Sequence, residues 1–482
     1  MHIVTNTSHV IDVLGNVVGR DQPIMLMEKA FELVSQINRD DFIENNIVFF
    51  DPFCKAGEIL FACAFYSCFF KTLNNNRSLD LDFIKNEIYN SNRYFGLSPD
   101  ERHHKLSLRT FLGNTRSHDE KFNKIIRDGH YLSEDDGTLD KNKYMKELIS
   151  MIEFIKKDNK NKKIIAIGNP PYQENYKGNG KNPGSKPIYH IFLEALIDTK
   201  MIDQFLMVIP SRWFAGGRGK SLKNFALTMR QSKHIKQIYD FPNAKCVFPT
   251  VDIKGGVCFL HWDMNYNGDT LFYSSEEKGA ELVDLTIGNL IIRDASARPI
   301  VEKITRKALP SITERAWSWN PFNIASNYFE INKKDVAGND SLECLTKRGI
   351  FKKISKTKIT KNTDKINLFK VIVPKAVSTG GVPYRPNQVL ILNPHQICNE
   401  TFMVIDTFRT YKEAQNFLEY ITSDIARFLI SVKKITQDIT KETWCLVPDI
   451  SSLKINLNNL YEFFELNEEE INYINKKVKE WA

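Results

Sequence analysis

Short apolar runs at residues 47–51, 94–97, 163–167, 205–209, 235–241 and 256–262 alternate, for the most part, with amphipathic stretches such as 25–38, 141–157 and 188–199. This alternation restricts the fold more than any other feature. Strands joined through helices run parallel and are covered on both faces. The run at 164–167, IIAI, fits such a strand because it is apolar on both faces. The pattern predicts an α/β fold with a doubly wound, largely parallel sheet. Past about residue 310 it gives way to basic segments, short strands at 368–373, 388–392 and 401–405, and late helices at 411–432 and 467–481. A second, α+β module is expected there, with domains of 1–310 and 311–482.

A chain of 482 residues is too long for one ordinary core, which agrees with two domains. Hydrophobic residues make up 42% and charged residues 26%, a globular composition. The eight cysteines include no CxxC pair and no Cys/His ligand spacing, so reduced thiols are expected and a metal site is not. The first residues lack the basic and apolar regions of a signal peptide. The most apolar run, 59–70, is too short to cross a bilayer. These features predict a cytoplasmic protein with no membrane partner. The net charge of +8 is modest, but residues 347–375 hold ten Lys/Arg against the single acid Asp364. Within that strip Lys352, Lys353, Lys356 and Lys358 suit phosphate contacts, as against a merely solvated face.

Three strand ends carry the chemistry. The first runs into Asp51-Pro52-Phe53-Cys54-Lys55-Ala56-Gly57, a tight turn followed by an apolar helix. Gly57 would let a ligand approach the backbone, and the helix start offers free N–H groups. The second, FGLSPDER, ends near Asp100 and Glu101, where an acid can take both hydroxyls of a ribose. The third runs from the apolar strand into Asn169-Pro170-Pro171-Tyr172. Proline cannot donate to a ladder, so the strand stops there as a stiff bracket bearing one amide and one flat ring. Such a bracket suits a planar amine. Two basic loops, 178–187 (GNGKNPGSKP) and 214–220 (FAGGRGK), are expected to be mobile beside this edge. His103-His104 has no partner at metal-ligand spacing and reads as a polar helix face, and Asp252-Ile253-Lys254 as a chance D-x-K within a strand.

Together, DPFCKAG, the acid after the second strand and IGNPPY resemble the gamma-class, S-adenosylmethionine-dependent N6-adenine DNA methyltransferases of restriction–modification type. The likeness extends through PIYHIFLEAL, FLMVIPSRWF and CVFPTVDIKGGVCFL. Farther on, WNPFNIASN, NETFMVI and KKITQDITKETWCLVPD resemble the C-terminal half of such enzymes. The resemblance implies a Rossmann-like methyltransferase sheet followed by a target-recognition domain. It implies S-adenosylmethionine as cofactor, double-stranded DNA as partner, no metal, and leaves room for a separate restriction endonuclease. Asn169, Pro170, Pro171 and Tyr172 match the catalytic motif, and Asp51, Pro52, Cys54 and Gly57 the cofactor motif, with Phe53 between them. Lys55 and Ala56 depart from it, standing where the family has glycine and serine. A Thr-Pro pair of the family is missing from 15–23 (GNVVGRDQP). Asp100 would hold the ribose, and either Asp128 or His130 would face the cofactor's adenine. Phe248 falls where the family supplies a second aromatic face against the target base.

The implied chemistry follows from the substrate. Adenine's exocyclic amine is a poor nucleophile, since its lone pair is delocalised into the ring. Acceptance of its hydrogens by the Asn169 side-chain oxygen and the Pro170 carbonyl would localise that pair and stabilise the developing positive charge. Tyr172 would stack on a base flipped out of the duplex. Methyltransferases of glutamine in release factors share NPPY but end soon after the sheet, and cytosine-N4 enzymes usually have Ser or Asp in place of Asn169. A DNA-binding specificity subunit with an impaired catalytic fold is the non-enzymatic alternative. A fused nuclease would need a metal site ahead of residue 51.

Overall fold

The computed structural model describes residues 24–479 apart from 76–78, 113–119, 134–137, 177–183, 217–218, 252, 277–278, 289, 333–339, 347–348, 378–380, 382, 435–436 and 454. The chain divides into units Met1–Asn289 and Leu290–Ala482.

In the first unit the strands are β1 (Ile47–Asp51), β2 (Tyr94–Ser98), β3 (Ile126–Asp128), β4 (Lys163–Gly168), β5 (Gln173–Tyr176), β6 (Gly184–Pro187), β7 (Gln204–Pro210), β8 (Ile235–Phe241), β9 (Val257–Asp263), β10 (Thr270–Ser274) and β11 (Ala280–Val283). Nine of them form one sheet in the order β11-β10-β8-β9-β7-β4-β1-β2-β3. β1, β2, β3, β4 and β7 pair in parallel, while β9 is antiparallel to both β7 and β8. This is the expected α/β class, a large, mostly parallel Rossmann-like sheet with two reversed strands, β9 and β11. β1 and β2 are buried at every residue, which is why they read as unbroken apolar runs rather than alternating ones.

Winding sets the position of the site. From β1 the chain moves outward to β2 and β3, then returns to the other side of β1 as β4. The order thus reverses between β1 and β4, and the carboxyl edge at such a switch point forms a crevice. The helix Glu58–Asn75 leaves directly from that edge. It is the apolar run noted above, and its residues Ile59 to Ala64 are all buried. No helix among the described residues is long and apolar enough to cross a membrane.

The second unit holds two three-stranded sheets. In one, β12 (Ser341–Leu345) lies between β13 (Phe351–Ser355) and β16 (Gln396–Cys398). In the other, β14 (Phe369–Pro374) lies between β15 (Leu390–Leu392) and β17 (Phe402–Phe408). The second sheet shares a core with helices Tyr411–Ile421, Asp424–Lys433 and Glu468–Lys479. The helix Ala297–Arg306 belongs to the same core through Ile300, Val301 and Ile304, so the division falls ahead of the expected boundary near 310.

One expected helix ends early and another is interrupted by a polar cap. The stretch 25–38 is helical over Met27–Val34, and a new helix, Arg39–Ile43, starts where the Asn38 side chain accepts from the Asp40 N–H. The stretch 411–432 breaks where Ser423 caps Asp424–Lys433 by accepting from the Ala426 N–H. A serine or asparagine that offers its own acceptor competes with helix continuation. Of the two loops expected to be mobile, 184–187 forms β6, paired antiparallel with β5. The rest of the first loop, 178–183, lies outside the described residues. In the second, Phe214 is buried in a 3₁₀ turn, Ser211–Ala215, while 217–218 lie outside the described residues. Asp252 and the segment 15–23 lie outside them as well, and Lys254 sits in a turn, not a strand.

Candidate functional site

Two segments leave the sheet side by side at the switch point. β1 and β4 are in register at Phe50 and Ala166, so Asp51 and Gly168 emerge together. A Cβ placed on Gly168 would lie 2.7 Å from Asp51 Oδ1 and 3.0 Å from Phe53 Cδ2. Only glycine fits between the end of β4 and the 51–57 loop. The two motifs are therefore neighbours in the fold, although they lie far apart in the chain.

The 51–57 loop is held closely by its surroundings. Asp51 Oδ1 accepts from the Phe53 N–H at 2.9 Å, and the Cys54 N–H donates to the Leu97 carbonyl. The Pro52 carbonyl accepts from buried Tyr131 Oη at 2.9 Å, and the Lys55 carbonyl from Ser107 Oγ at 2.9 Å. Phe53 packs against Tyr144 and Phe192. Gly57 turns the chain into the helix at φ 79°, a left-handed conformation that glycine adopts without a Cβ clash.

The charges in this loop are buried. Asp51, Lys55, Glu58 and Asp100 are each at most 5% exposed. Burial pushes the Asp51 carboxyl well above its usual range against the pull of the Phe53 hydrogen bond, and raises Glu58 in the same way. Burial draws the Lys55 ammonium down to about 8, opposed by the nearby carboxylates of Glu58, Asp51 and Asp100. Sequence alone marks Lys55 as a departure from the motif. Only the fold shows that it is a cation enclosed among three acids.

Asp100 begins the helix that follows β2. Its Oδ1 accepts from the His103 N–H at 2.9 Å, and its Oδ2 lies 2.7 Å from His103 Nδ1. Burial acts to raise this carboxyl, but the His103 contacts outweigh it and leave it below the usual range. His103 is therefore not a polar helix face. It is 3% exposed and orients Asp100. The Asp-x-x-His spacing across a helix start is the signal that reveals it, since a capping acid meets the third residue onward.

At the sheet edge, Asp128 pairs in register with Ser98, and its Oδ2 lies 3.0 Å from His130 Nε2. Burial raises the Asp128 carboxyl, with His130 opposing. The two line a cleft of about 630 Å³ with Glu101, His104, Lys105 and Arg127. The Asp128 side chain is 18% exposed and that of His130 53%.

The bracket itself is enclosed. Asn169 is 2% exposed and Tyr172 7%, with Pro170 and Pro171 buried between them. The Tyr172 carbonyl accepts from the Ile188 N–H at 3.0 Å, closing the β5–β6 hairpin behind the motif. Glu174 of that hairpin accepts from the Leu139 N–H and pairs with Lys186. Burial raises the Tyr172 phenol well above its usual range, and its oxygen has no hydrogen-bond partner among the described residues. Phe248 meets Tyr172 edge to face at 6.2 Å between ring centroids and is itself 1% exposed. The structure brings these rings together as buried neighbours rather than as two open parallel faces.

The lysine strip of the second unit is not one surface. Lys352 and Lys353 are exposed on β13, and Lys356 and Lys358 follow in a 3₁₀ turn. Lys352 also lies over the Phe329 ring. Lys370, by contrast, is fully buried and donates to the carbonyls of Ile366, Leu368 and Asn393. Its ammonium staples a loop to β14, and burial lowers it to about 8.

The sheet order and the neighbouring motifs at its switch point define a class, the doubly wound α/β folds that hold a ligand at the carboxyl edge of the sheet. More particularly, residues 92–248 match the Eco57I restriction-modification methylase family. An adenine-specific methylase of Mycoplasma pneumoniae, itself uncharacterized, is 34% identical over 131 residues. That match covers 27% of this chain and 30% of the relative, so the chain spans about a third of the curated relative's length. Among solved structures, the Type IIL restriction-modification enzyme MmeI in complex with DNA aligns with 98% of this chain and 74% of its own at 9% identity and a TM-score of 0.48. A nuclease-deletion mutant of the Type ISP enzyme LlaGI, in complex with a DNA substrate mimic, aligns with 88% and 46% at 12% identity and a TM-score of 0.47.

Proposed function

We propose that this protein transfers a methyl group from S-adenosylmethionine to the N6 amine of a flipped-out adenine in double-stranded DNA, within a restriction–modification system. The observation that carries this reading is the junction of the 51–57 loop with Asn169-Pro170-Pro171-Tyr172 across Gly168. A cofactor loop and a bracket for a planar amine share one crevice.

The donor set fits S-adenosylmethionine. Asp100, oriented by His103, suits the ribose hydroxyls. Asp51 and the backbone of Pro52, Phe53, Cys54 and Gly57 suit the methionine end. Asp128, the less exposed member of its pair, suits the cofactor's adenine, with His130 holding it. Bound cofactor would supply a sulfonium methyl already activated for transfer. The chain's own part is then alignment and charge stabilisation. Asn169 Oδ1 and the Pro170 carbonyl would accept the two amine hydrogens of the target adenine. Tyr172 would stack on the base, with Phe248 supporting the ring from its edge.

Incubation with S-adenosylmethionine and duplex DNA of mixed sequence, followed by mapping of modified bases, tests the proposal. N6-methyladenine at a defined site is expected. Methylation confined to cytosine or to protein glutamine would replace the reading. The same function implies a cytoplasmic protein and leaves room for a separate restriction endonuclease.

One observation favours a second reading. Lys55 stands enclosed in the cofactor loop, and a chain that cannot admit the cofactor would be a DNA-binding specificity subunit. Calorimetric titration with S-adenosylmethionine separates the two, since only the enzyme binds it.

Tyr172 gives a graded expectation. Tyr172→Ala should lose most activity, while Tyr172→Phe should keep most of it, because stacking uses the ring and the phenol oxygen has no partner among the described residues. Equal loss in both variants would assign the hydroxyl a role of its own.

The second unit is proposed as the target-recognition domain, with Lys352, Lys353, Lys356 and Lys358 toward phosphates. Changing these four to Gln should weaken binding to all duplexes alike. It should also flatten the plot of log affinity against log salt by up to about 0.9 per lost contact. Lys370→Met should lower the melting temperature and leave that slope unchanged, since its ammonium already serves three carbonyls. An unchanged slope in the fourfold variant would make the strip a solvated surface only.

A further inference from the structure

Trp319 is 62% exposed, yet the segment that carries it is held on every side. Before it, the Trp317 N–H donates to the Val404 carbonyl of β17. After it, Phe322 and Ile324 are buried in the core shared with β12, β13 and β16. Between these anchors, Lys361 Nζ donates to Ser318 Oγ at 3.2 Å and to the carbonyls of Trp319 and Asn320 at 3.1 Å each. Asn362 Nδ2 donates to the Pro321 carbonyl at 2.6 Å, and Asn323 Nδ2 to Thr360 Oγ1 at 2.9 Å. Asn320 Oδ1 accepts from the Ile324 N–H at 2.8 Å. Asn320 and Asn323 are fixed in the left-handed region, at φ 54° and 60°.

A lone exposed apolar side chain is ordinary, because a folded surface always retains apolar area. A bulky indole kept outward by a braced backbone is different. A slack loop would let the ring fold onto the protein and bury its area. Here the bracing prevents that, so the ring is organised in advance for something else. The local charge says what. Lys375 Nζ lies 4.9 Å from the centre of the indole, and Lys361 holds the backbone that carries it. An aromatic face beside lysines suits a partner that is anionic and offers flat apolar surfaces, and nucleic acid has both.

We propose that Trp319 is a DNA contact, its indole laid against a nucleobase or sugar while Lys375 faces the adjoining phosphate. This rests on the DNA-binding reading of the second unit and adds a stacking contact to it. Stacking releases no counterions, so it leaves a signature distinct from that of the lysines.

The test compares wild type, Trp319→Ala and Trp319→Phe for affinity to duplex DNA at several salt concentrations. Trp319→Ala should bind about 10-fold more weakly at every salt, with an unchanged salt slope. Trp319→Phe should lose less, since a ring remains. The melting temperature should hold in both, because the side chain is exposed. In the wild type, the part of the fluorescence removed by Trp319→Phe should be open to acrylamide quenching when free and shielded in the complex. Equal affinity of wild type and Trp319→Ala, or an indole equally quenched with and without DNA, overturns the inference and leaves the general DNA reading standing. A flattened salt slope in Trp319→Ala would also overturn it, assigning the effect to displaced lysines. Failure of the wild type to bind duplex DNA overturns both.

Discussion

Asn169→Ala is expected to lower methyl transfer by at least about 100-fold while cofactor and DNA affinity stay near those of the wild type. Removing one acceptor aimed at charge that develops in a transition state typically costs a factor of this order. The two affinities should survive because the interaction strengthens only as the amine attacks, so the loss falls on turnover rather than on binding. Local geometry supports a clean result. Asn169 lies immediately beyond β4, buried between a strand and two prolines, so truncating it leaves the bracket's backbone in place. Single-turnover methylation measured beside calorimetric binding of S-adenosylmethionine and anisotropy binding of DNA makes the check. Near-normal turnover in Asn169→Ala would remove this residue from the catalytic role.

Gly168→Ala should do comparable damage by another route. Its methyl group would fall 2.7 Å from Asp51 Oδ1, inside any real carbon contact, and 3.0 Å from the Phe53 ring. Neither neighbour can easily yield. Asp51 is pinned by the Phe53 N–H, and Phe53 is packed among Tyr144 and Phe192. The loop must move as a unit, at an overpacking cost of about 1–3 kcal/mol. Affinity for S-adenosylmethionine should fall about 10-fold or more, with a lower melting temperature. Gly216→Ala is the control. It too is at a special position, at φ 80°, but an added Cβ there meets nothing within 4 Å, so only backbone strain is expected. Unchanged cofactor affinity in Gly168→Ala would separate the 51–57 loop from the cofactor site.

The sequence showed the central strands closely. Residues 47–51 and 235–241 form strands over just the expected spans, and β4 and β7 extend past theirs by a residue or so. Buried strands in a covered sheet must be apolar on both faces, so they stand out without knowledge of neighbours. β3, β10 and β11, and the hairpin β5–β6, were not legible. β3 is three residues long, β11 is largely exposed, and β5 and β6 are polar. Such strands owe their existence to a partner edge rather than to their own pattern. The helix break at Ser423 was in principle legible from a capping residue, but the apolar periodicity on either side runs through it.

The residue types at the site were written in the chain. Asn169-Pro170-Pro171-Tyr172 after an apolar strand and Asp51 to Gly57 after another can be located from local rules, since proline ends a ladder and glycine permits a left-handed turn. Their adjacency could be expected only from the winding of the sheet, and the contact across Gly168 came from the fold alone. The fates of charged side chains were decided at the tertiary level. Lys352 and Lys370 belong to the same basic strip, yet one is exposed on β13 and the other is buried against three carbonyls. Lys55, in sequence only a departure from the motif, is buried near acids from β1, the following helix start and the end of β2. A charge is a property of one residue. Whether it meets water, a phosphate or a carbonyl depends on residues distant in the chain, because burial and pairing are set by what packs around it.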